Sequence, residues 1–275
     1  MSLPYFFTDA PGAGQLAGPE GKHAVTVKRI TPGQQIILTD GNGAWARVEV
    51  TATTGTDMLT GTVLEQGETA PPSPRVTVVQ AIPKSERAEL AVDLATQAGA
   101  DAIIPWISHR TIARWQGAKV DKNVEKWRNT ARQAAKQSRR TYVPEIHTPM
   151  TTNQLKEVLV DKRAYVLHED ATTSIRDIAD DFATADESLS ADESLSADES
   201  LSADESLSAD ESLPADESLP ADEIYLVVGP EGGIGDDERE LLGATPVKLG
   251  PEVLRTATAA AIGLAAIGVL SGRWN

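Results

Sequence analysis

The amino-acid sequence predicts an α/β fold with a mostly parallel sheet, preceded by a small domain built from β-strands. Three observations predict this organisation. Residues 1–70 contain short apolar runs separated by glycine and proline turns. From residue 75 onward, strand patterns alternate with helical ones, which is typical of a parallel sheet. The segment Pro71-Pro72-Ser73-Pro74 separates the two patterns, so domains are expected over residues 1–70 and 75–275.

The N-terminal part is expected to form a small β-barrel or sandwich. Its predicted strands are residues 24–27, 35–39 and 46–50. The turn Asp40-Gly41-Asn42-Gly43 is predicted to join the last two strands as a hairpin, because Asp-Gly and Asn-Gly tolerate the positive φ angles of tight turns.

The second part supplies the strands and helices of the parallel sheet. Strands buried on both faces are continuous apolar runs, and such runs occupy residues 76–82, 102–107, 164–168, 224–228 and 247–249. Helical patterns occupy residues 85–97, 121–140 and 256–270. Their spacing places Leu90, Leu94 and Ala98 on the buried face of the first helix, and Val124, Trp127, Ala131 and Ala134 on that of the second.

A hexapeptide array interrupts the second part at residues 185–223. Ala-Asp-Glu-Ser-Leu-Ser, or the same with a final proline, occurs in six full copies and ends with Ala221-Asp222-Glu223. Its 14 acids and few leucines bury too little apolar surface to offset the chain entropy, so we expect a disordered surface loop. A neutral expansion in a tolerant loop is the favoured interpretation. Mimicry of nucleic acid and attraction of a basic partner are the alternatives.

The array also accounts for most of the net charge of −16. Without its 14 acids the chain has 27 acids and 25 bases, a net charge of −2. Residues 110–140 contain ten bases and only two acids, Asp121 and Glu125. This local excess of positive charge is typical of a phosphate-binding surface. A solvated helix face is the alternative. The bases are Arg110, Arg114, Lys119, Lys122, Lys126, Arg128, Arg132, Lys136, Arg139 and Arg140.

Composition excludes several classes of protein. There is no cysteine, so disulfides and thiolate metal sites are impossible, and the four histidines show no metal-binding spacing. The N-terminus lacks the basic and apolar regions of a secretory signal. The most apolar stretch, residues 257–270, is shorter than the roughly 20 residues that a membrane span needs. We expect a soluble cytoplasmic protein with no metal and no membrane partner.

The segment Gly229-Pro230-Glu231-Gly232-Gly233 follows a predicted strand and precedes a helix start in which Asp237 and Glu240 have capping-box spacing. Glycines permit positive φ and close approach of the backbone to a ligand. The segment is neither a Walker loop nor a dinucleotide-binding turn, which disfavours triphosphates and NAD. Taken alone, it is equally an ordinary tight turn.

The segment Leu249-Gly250-Pro251-Glu252-Val253-Leu254-Arg255-Thr256 leads into a helix rich in alanine and glycine. Small residues allow the backbone to pack closely against its neighbours. The guanidinium of Arg255 opposes the dipole at the helix start, so a ligand or a carboxylate partner is expected to compensate it.

Taken together, these two segments resemble the SPOUT (α/β-knot) methyltransferases, and more closely the RsmE-type enzymes, which methylate N3 of a uridine in small-subunit (16S) ribosomal RNA. The resemblance covers the whole chain except the array. It also includes residues 80–84, 94–99, 104–105, 108–110, 126–127, 134–140 and 143–146. His23, Arg29, Gly33 and Asp40-Gly41 with Gly43 are similar to the PUA-like RNA-binding barrel of that family.

The resemblance implies a trefoil knot in the C-terminal domain, a homodimer, and S-adenosyl-L-methionine as cofactor. The cofactor-binding residues that it implies lie in three loops: Leu167, His168 and Glu169; Gly229, Pro230, Glu231, Gly232, Gly233 and Ile234; and Leu249, Gly250, Leu254 and Thr256. The candidate RNA-binding residues are His23, Lys28, Arg29, Arg110, Arg132, Lys136, Arg139 and Arg140.

Two residues are candidates for catalysis. We hypothesise that Arg255 stabilises the uracil oxygen that gains negative charge, and that Glu231 handles the N3 proton or contacts the sulfonium. A structural acid near a helix N-terminus is the alternative for Glu231. Many relatives have Leu-Arg-Thr-Glu-Thr where this chain has Ala257 in place of the glutamate, so no carboxylate acts there.

The alternative functions are other SPOUT activities, on ribose 2′-OH or a tRNA base, and that of a non-catalytic RNA-binding factor.

Overall fold

The computed structural model describes residues 3–113, 115–182 and 223–274. The predicted array lies outside the described residues, apart from Glu223, which begins a strand. The strands of these ranges are β1 (Tyr5–Phe7), β2 (Gln15–Leu16), β3 (Gln35–Thr39), β4 (Ala44–Thr54), β5 (Met58–Glu68), β6 (Arg75–Ala81), β7 (Ala102–Ile107), β8 (Glu145–Ile146), β9 (Met150–Thr151), β10 (Arg163–Leu167), β11 (Glu223–Val228) and β12 (Thr245–Val247). The α-helices are α1 (Gly18–Lys22), α2 (Ser85–Gln97), α3 (Lys119–Gln137), α4 (Thr152–Leu159), α5 (Asp236–Leu242) and α6 (Thr256–Leu270).

The N-terminal strands form one sheet in the order β1-β3-β4-β5-β2. β1 pairs with β3 in parallel and the other pairs are antiparallel. The predicted hairpin joins β3 to β4, and the Asp40 carboxylate holds its turn by accepting hydrogen bonds from the backbone N of Asn42 and Ala44. The core of this sheet is apolar and includes Phe6, Ile36, Leu38, Val48 and Leu59.

The strand predicted at residues 24–27 is wrong, because α1 continues into a π-helical turn, His23–Val27. Proline in the first turn of α1 favours a helix start. Ala24 is completely buried against the N-terminal core. Tertiary packing therefore decides the conformation here, against the β preference of the valines and threonine.

The second sheet is parallel throughout, with the order β12-β10-β11-β6-β7-β8 and β9 pairing with β7. Alternate residues of β11 face opposite sides: Ile224 and Leu226 pack toward α2, α3 and α6, whereas Tyr225 and Val227 pack toward α4 and α5. Helices therefore cover both faces, as the apolar strands predict.

Most predicted elements of this domain are present with bounds shifted by two residues or fewer. α3 ends earlier than expected, because Arg139 adopts a left-handed φ of 60°. Its predicted buried face is confirmed. The predicted face of α2 is wrong in part: Leu90 is 45% exposed, whereas Ala98 packs against the core. The buried residues of α2 are Ala88, Ala91, Val92, Ala95 and Thr96.

The two sheets are joined by direct contacts around the segment after α3. The backbone N of Gly43 donates to Thr141 O at 3.1 Å, and Val143 N donates to Gly41 O at 2.9 Å. The Tyr142 hydroxyl donates to Thr69 O at 2.9 Å. Within the described ranges, none of the helices has the length and apolar character needed to cross a membrane.

Candidate functional site

Three loops meet at the carboxyl edge of the parallel sheet, after β10, β11 and β12, and enclose a cavity of about 350 Å³. Open parallel sheets bind ligands at this edge, and the volume lies within the range of small-molecule sites. Arg255, Glu231 and every predicted cofactor-binding residue except Gly232 line this cavity.

His168 anchors the first loop. Its backbone N donates to Val247 O at 3.0 Å, which ties the end of β10 to β12. The imidazole Nδ1 accepts from the backbone N of Asp170 at 3.3 Å, and Nε2 lies 3.3 Å from Nη1 of Arg239 on α5. A neutral imidazole has one acceptor nitrogen, so the half-buried ring accepts from one of these two donors at a time, and the backbone bond to Val247 O is what anchors the loop.

The glycine segment forms a tight turn in which two glycines are structurally required. Gly233 has a φ of +71° and donates from its backbone N to Pro230 O at 2.9 Å. At Gly229, a Cβ would lie 2.7 Å from Cγ1 of Ile234, which folds back over the turn. The residue before α5 is Gly235 and provides no side-chain cap, so the predicted capping box of Asp237 and Glu240 is wrong.

Gly232 faces away from the cavity and contacts Arg110. Nη1 of Arg110 donates to Gly232 O at 3.1 Å, and a Cβ on Gly232 would lie 3.4 Å from Cβ of Arg110. Arg110, predicted as an RNA-binding residue, therefore also supports the outer side of the turn.

Glu231 is exposed at the tip of the same turn. Its Oε1 accepts a hydrogen bond from the backbone N of Lys84 at 3.3 Å, at the start of α2. One carboxylate oxygen is thus held by the protein while the side chain lines the cavity.

Arg255 is the residue that precedes α6, and its carbonyl accepts from the backbone N of Thr258 and Ala259. Its side chain is exposed and makes no hydrogen bond or ion pair with another residue of the described ranges. Behind it, α6 packs closely on β11, since a Cβ on Gly263 would lie 2.8 Å from Leu226. A rigid helix therefore presents a guanidinium to the cavity.

Sequence reasoning missed two cations of the cavity, Arg87 and Lys248. Arg87 lies in the first turn of α2, where a cation opposes the helix dipole. The same signal that identified Arg255 was therefore available for Arg87. Lys248 follows β12 immediately and carries no comparable signal.

Five of the predicted RNA-binding residues are exposed: Lys28, Arg29, Arg110, Arg132 and Arg139. Arg132 lies over the Phe7 ring at 4.3 Å, which connects α3 to β1. His23 is half-buried, and burial lowers its pKa, with the charge of Lys136 acting in the same direction.

Two predicted members of the basic surface are instead buried in ion pairs. Nζ of Lys136 lies 2.8 Å from Oε1 of Glu20, and its side chain is only 9% exposed. Arg140 pairs with Asp101 at 3.2 Å and donates to Thr96 O and Ala100 O at 2.7 Å each. Both residues hold elements together, so their assignment to an exposed basic stripe is corrected.

The described residues contain no group of three or more histidine, aspartate or glutamate side chains arranged to hold a metal ion. The cavity offers apolar surface, three glutamates and three basic side chains. This composition suits an organic ligand with charged and aromatic parts. Its charged residues are Glu169, Glu231, Glu252, Arg87, Lys248 and Arg255.

Comparisons with known proteins agree with both parts of the fold. A model of the RNA methyltransferase domain matches residues 71–193 and 181–268, and a model of the RNA methyltransferase PUA domain matches residues 16–59. Among solved structures, ribosomal RNA small subunit methyltransferase E from Neisseria gonorrhoeae, bound to S-adenosyl methionine, superposes with a TM-score of 0.73 at 21% identity, covering 98% of each chain. A putative methyltransferase from Legionella pneumophila in complex with the same cofactor gives 0.73 at 23% identity, covering 98% and 99%. These structures establish the shared fold.

Two curated relatives establish the family. Ribosomal RNA small subunit methyltransferase E of Mycobacterium bovis is 43% identical over 286 residues, which cover 100% of this chain and 94% of the relative. The protein of the same name from Bacillus subtilis is 30% identical over 257 residues, covering 92% and 88%. The chain therefore belongs to the ribosomal RNA small subunit methyltransferase E family, the RsmE-type family that its motifs indicate.

Proposed function

We propose that the protein transfers a methyl group from S-adenosyl-L-methionine to N3 of a specific uridine in the 16S RNA of the small ribosomal subunit. The convergence of three loops on one cavity, with Arg255 and Glu231 both lining it, is the observation that carries this proposal. The relatives are named as small subunit ribosomal RNA methyltransferases, which supports the reaction and the class of substrate.

The residues of the cavity match the chemistry of the methyl donor. Aliphatic side chains suit an adenine ring, carboxylates suit ribose hydroxyls and a sulfonium, and cations suit a carboxylate. When bound, the donor supplies an electrophilic methyl group. The aliphatic residues are Leu167, Val228, Ile234, Leu249 and Leu254.

The reaction requires N3 of uracil to lose a proton, because the protonated nitrogen is a poor nucleophile. The Arg255 guanidinium stabilises the uracil oxygen that gains negative charge, and the Glu231 carboxylate accepts the proton or offsets positive charge. Alignment of N3 within the cavity supplies much of the remaining rate. Ala257 lies one residue after Thr256, so no carboxylate contributes from the start of α6.

RNA binding is assigned to the N-terminal domain and to the exposed bases Lys28, Arg29, Arg110, Arg132 and Arg139, which neutralise phosphates. The target base leaves its stack to reach the cavity. We place the domain boundary at residues 71–74, between β5 and β6. Ribosomal subunits are assembled in the cytoplasm, and we place the reaction there.

A homodimer and a trefoil knot complete the proposal. Apolar side chains are exposed along and beside α6: Ile262 is 43%, Val269 64% and Trp274 50% exposed, and a second copy would cover them. The trefoil knot is what the SPOUT resemblance implies, and the strand order requires the chain from β11 to β12 to cross β10. Light scattering is expected to give a dimer, and Val269→Glu is expected to give a monomer.

The experiment that tests the function measures donor binding and the methylated product separately. Calorimetry is expected to show binding of S-adenosyl-L-methionine, and hydrolysed small-subunit RNA is expected to contain 3-methyluridine after reaction. Methylation at ribose 2′-OH or only in tRNA would favour the other SPOUT activities. Absence of donor binding would favour a non-catalytic RNA-binding factor.

A further inference from the structure

A second cavity of about 550 Å³ lies beside the proposed donor pocket. It is formed by the loops that follow β6 and β7, by the first turns of α2 and by one side of α3. We call it the Trp115 groove, and the residues that matter are Lys84, Ile112, Trp115, Asn123, Lys126 and Trp127. Neither the cofactor-binding loops nor the exposed bases assigned to phosphates account for it.

The groove contains two indole rings. Trp127 is 1% exposed and belongs to the core, whereas Trp115 is half-buried. Their ring centroids are 5.1 Å apart at an interplanar angle of 81°, so the rings meet edge to face. Trp115 is half-buried and lines the groove, so the exposed part of its ring is available to a flat aromatic ligand. Ile112 is 70% exposed and lines the same groove, which adds apolar surface to it.

Polar groups of the groove suit a nucleotide. The Asn123 side chain is half-buried and has no hydrogen-bond partner among the described residues, which leaves an amide donor and acceptor for the edge of a base. Lys84 is exposed, and Lys126 pairs with Glu89 at 2.8 Å on the rim. An aromatic platform with nearby lysines is the usual composition of sites that hold unstacked bases.

The groove adjoins the donor pocket. The backbone N of Lys84, a groove residue, donates to the Glu231 carboxylate, which lines the donor pocket. On α2, Arg87 lines the donor pocket and the next residue, Ala88, lines the groove. An RNA chain whose target uridine enters one cavity therefore has an adjacent nucleotide within reach of the other.

We propose that the Trp115 groove binds an unstacked nucleobase of the RNA, adjacent to the uridine that is methylated. This inference rests on the proposed function, because it assigns a second subsite to the same substrate. Stacking on Trp115 holds the base, and Asn123 contacts its edge. A second copy of this chain is disfavoured as occupant, since the groove is concave and the exposed apolar residues of α6 lie elsewhere.

Steady-state methyl transfer to an unmodified transcript of small-subunit ribosomal RNA tests the groove. Trp115→Ala is expected to raise KM for the RNA about 5- to 150-fold, as expected for loss of one base–aromatic stack, with little change in kcat or in donor binding. Trp115→Phe keeps a ring and is expected to recover much of the affinity. Asn123 is half-buried and Ile112 is exposed, so replacing either by alanine should leave the core intact. The KM of these two variants for the RNA tests the groove if Trp115→Ala fails to fold. Val160→Ala, an exposed valine at the opposite edge of the sheet, is the control.

Ultraviolet cross-linking of the same transcript to the wild-type protein gives an independent readout. Mass spectrometry is expected to find a nucleotide adduct on Trp115. Adducts elsewhere with none on Trp115, or folded groove variants that all keep the wild-type KM, would overturn the inference while methyl transfer by the wild type stands. Failure of the wild-type protein to bind the donor or to methylate the RNA would overturn the proposed function instead.

Discussion

The buried carboxylate of Glu238 accepts a hydrogen bond from the backbone N of His109 at 2.9 Å, across 129 positions of sequence. The same oxygen accepts from the Thr152 hydroxyl, which itself accepts from Nε1 of Trp106 at 3.1 Å. This network joins the helix after the glycine turn to the loop after β7, in which Arg110 supports the turn. Glu238 therefore helps to position the glycine turn, because it holds the loop from which Arg110 contacts Gly232.

Removal of this carboxylate is expected to destabilise the protein. Glu238→Ala leaves the part-buried N–H of His109 and the buried Thr152 hydroxyl without their acceptor, and the free energy of unfolding should fall by about 1–3 kcal/mol in urea titrations. Glu238→Gln keeps a carbonyl acceptor and should recover part of the loss. Glu240→Ala, exposed on the same helix, should change stability by less than about 0.5 kcal/mol. Equal stability of the Glu238→Ala and Glu240→Ala proteins would contradict the network.

His23 is expected to titrate below its ordinary pKa of about 6.5. Burial lowers its pKa first, and Lys136 and Lys28 lower it further, while Glu20 acts in the opposite direction. Because the folded state binds the proton less tightly than the unfolded state, the contribution of His23 is present above about pH 6.5 and is lost as the pH falls through the lowered pKa. An NMR titration should show this lowered midpoint, and Lys136→Ala should raise it. An unchanged midpoint in that variant would rule out the influence of Lys136.

Arg140 and Arg139 are neighbours with different predicted roles. Arg140→Ala removes a buried guanidinium and its hydrogen bonds to Thr96 O and Ala100 O, while Asp101 keeps Arg273 at 3.0 Å, so stability should fall by about 1–3 kcal/mol. Arg139→Ala should leave stability nearly unchanged and should reduce the salt dependence of RNA binding, by about 0.7 to 0.9 in the logarithmic slope. Filter binding at several salt concentrations measures this slope. A slope that falls in Arg140→Ala but not in Arg139→Ala would reverse the two assignments.

Glu231→Gln separates proton handling from positioning. The amide oxygen can still accept from Lys84 N, and the side chain is exposed, so folding should be retained. If the carboxylate handles the N3 proton, kcat should fall about 100-fold or more. Single-turnover methyl transfer measures this change. A kcat within twofold of the wild type would make Glu231 a structural acid.

Sequence patterns predict the strands and helices correctly where burial alone decides the structure. Residues 224–228 are a continuous apolar run, and β11 pairs on both sides and is buried on both faces. The bounds of α6 follow from its unbroken run of small and apolar residues. The residues of the donor pocket could be predicted from the sequence, because its three loops all follow strands of one parallel sheet and the carboxyl ends of those strands meet.

Sequence patterns could not predict contacts between side chains that are distant in the sequence. Charge counts identify Lys136 and Arg140 as bases, but their partners Glu20 and Asp101 are 116 and 39 positions away and become neighbours only in the fold. The Trp115 groove likewise combines residues from two loops and two helices. The short α4, with a capping box of Thr151 and Gln154, carried a local signal that was overlooked.

We propose that this protein methylates N3 of a uridine in small-subunit ribosomal RNA with Arg255 at the reacting base. Nucleoside mass spectrometry of 16S RNA from a strain that lacks the gene is the deciding measurement. We expect that 3-methyluridine is lost and that the wild-type gene restores it. Arg255→Ala, with unchanged donor binding, should restore little, because loss of one such donor costs about 100- to 1,000-fold in rate. Unchanged 3-methyluridine in the deletion strain would contradict the proposed function, and full restoration by Arg255→Ala would remove Arg255 from the mechanism.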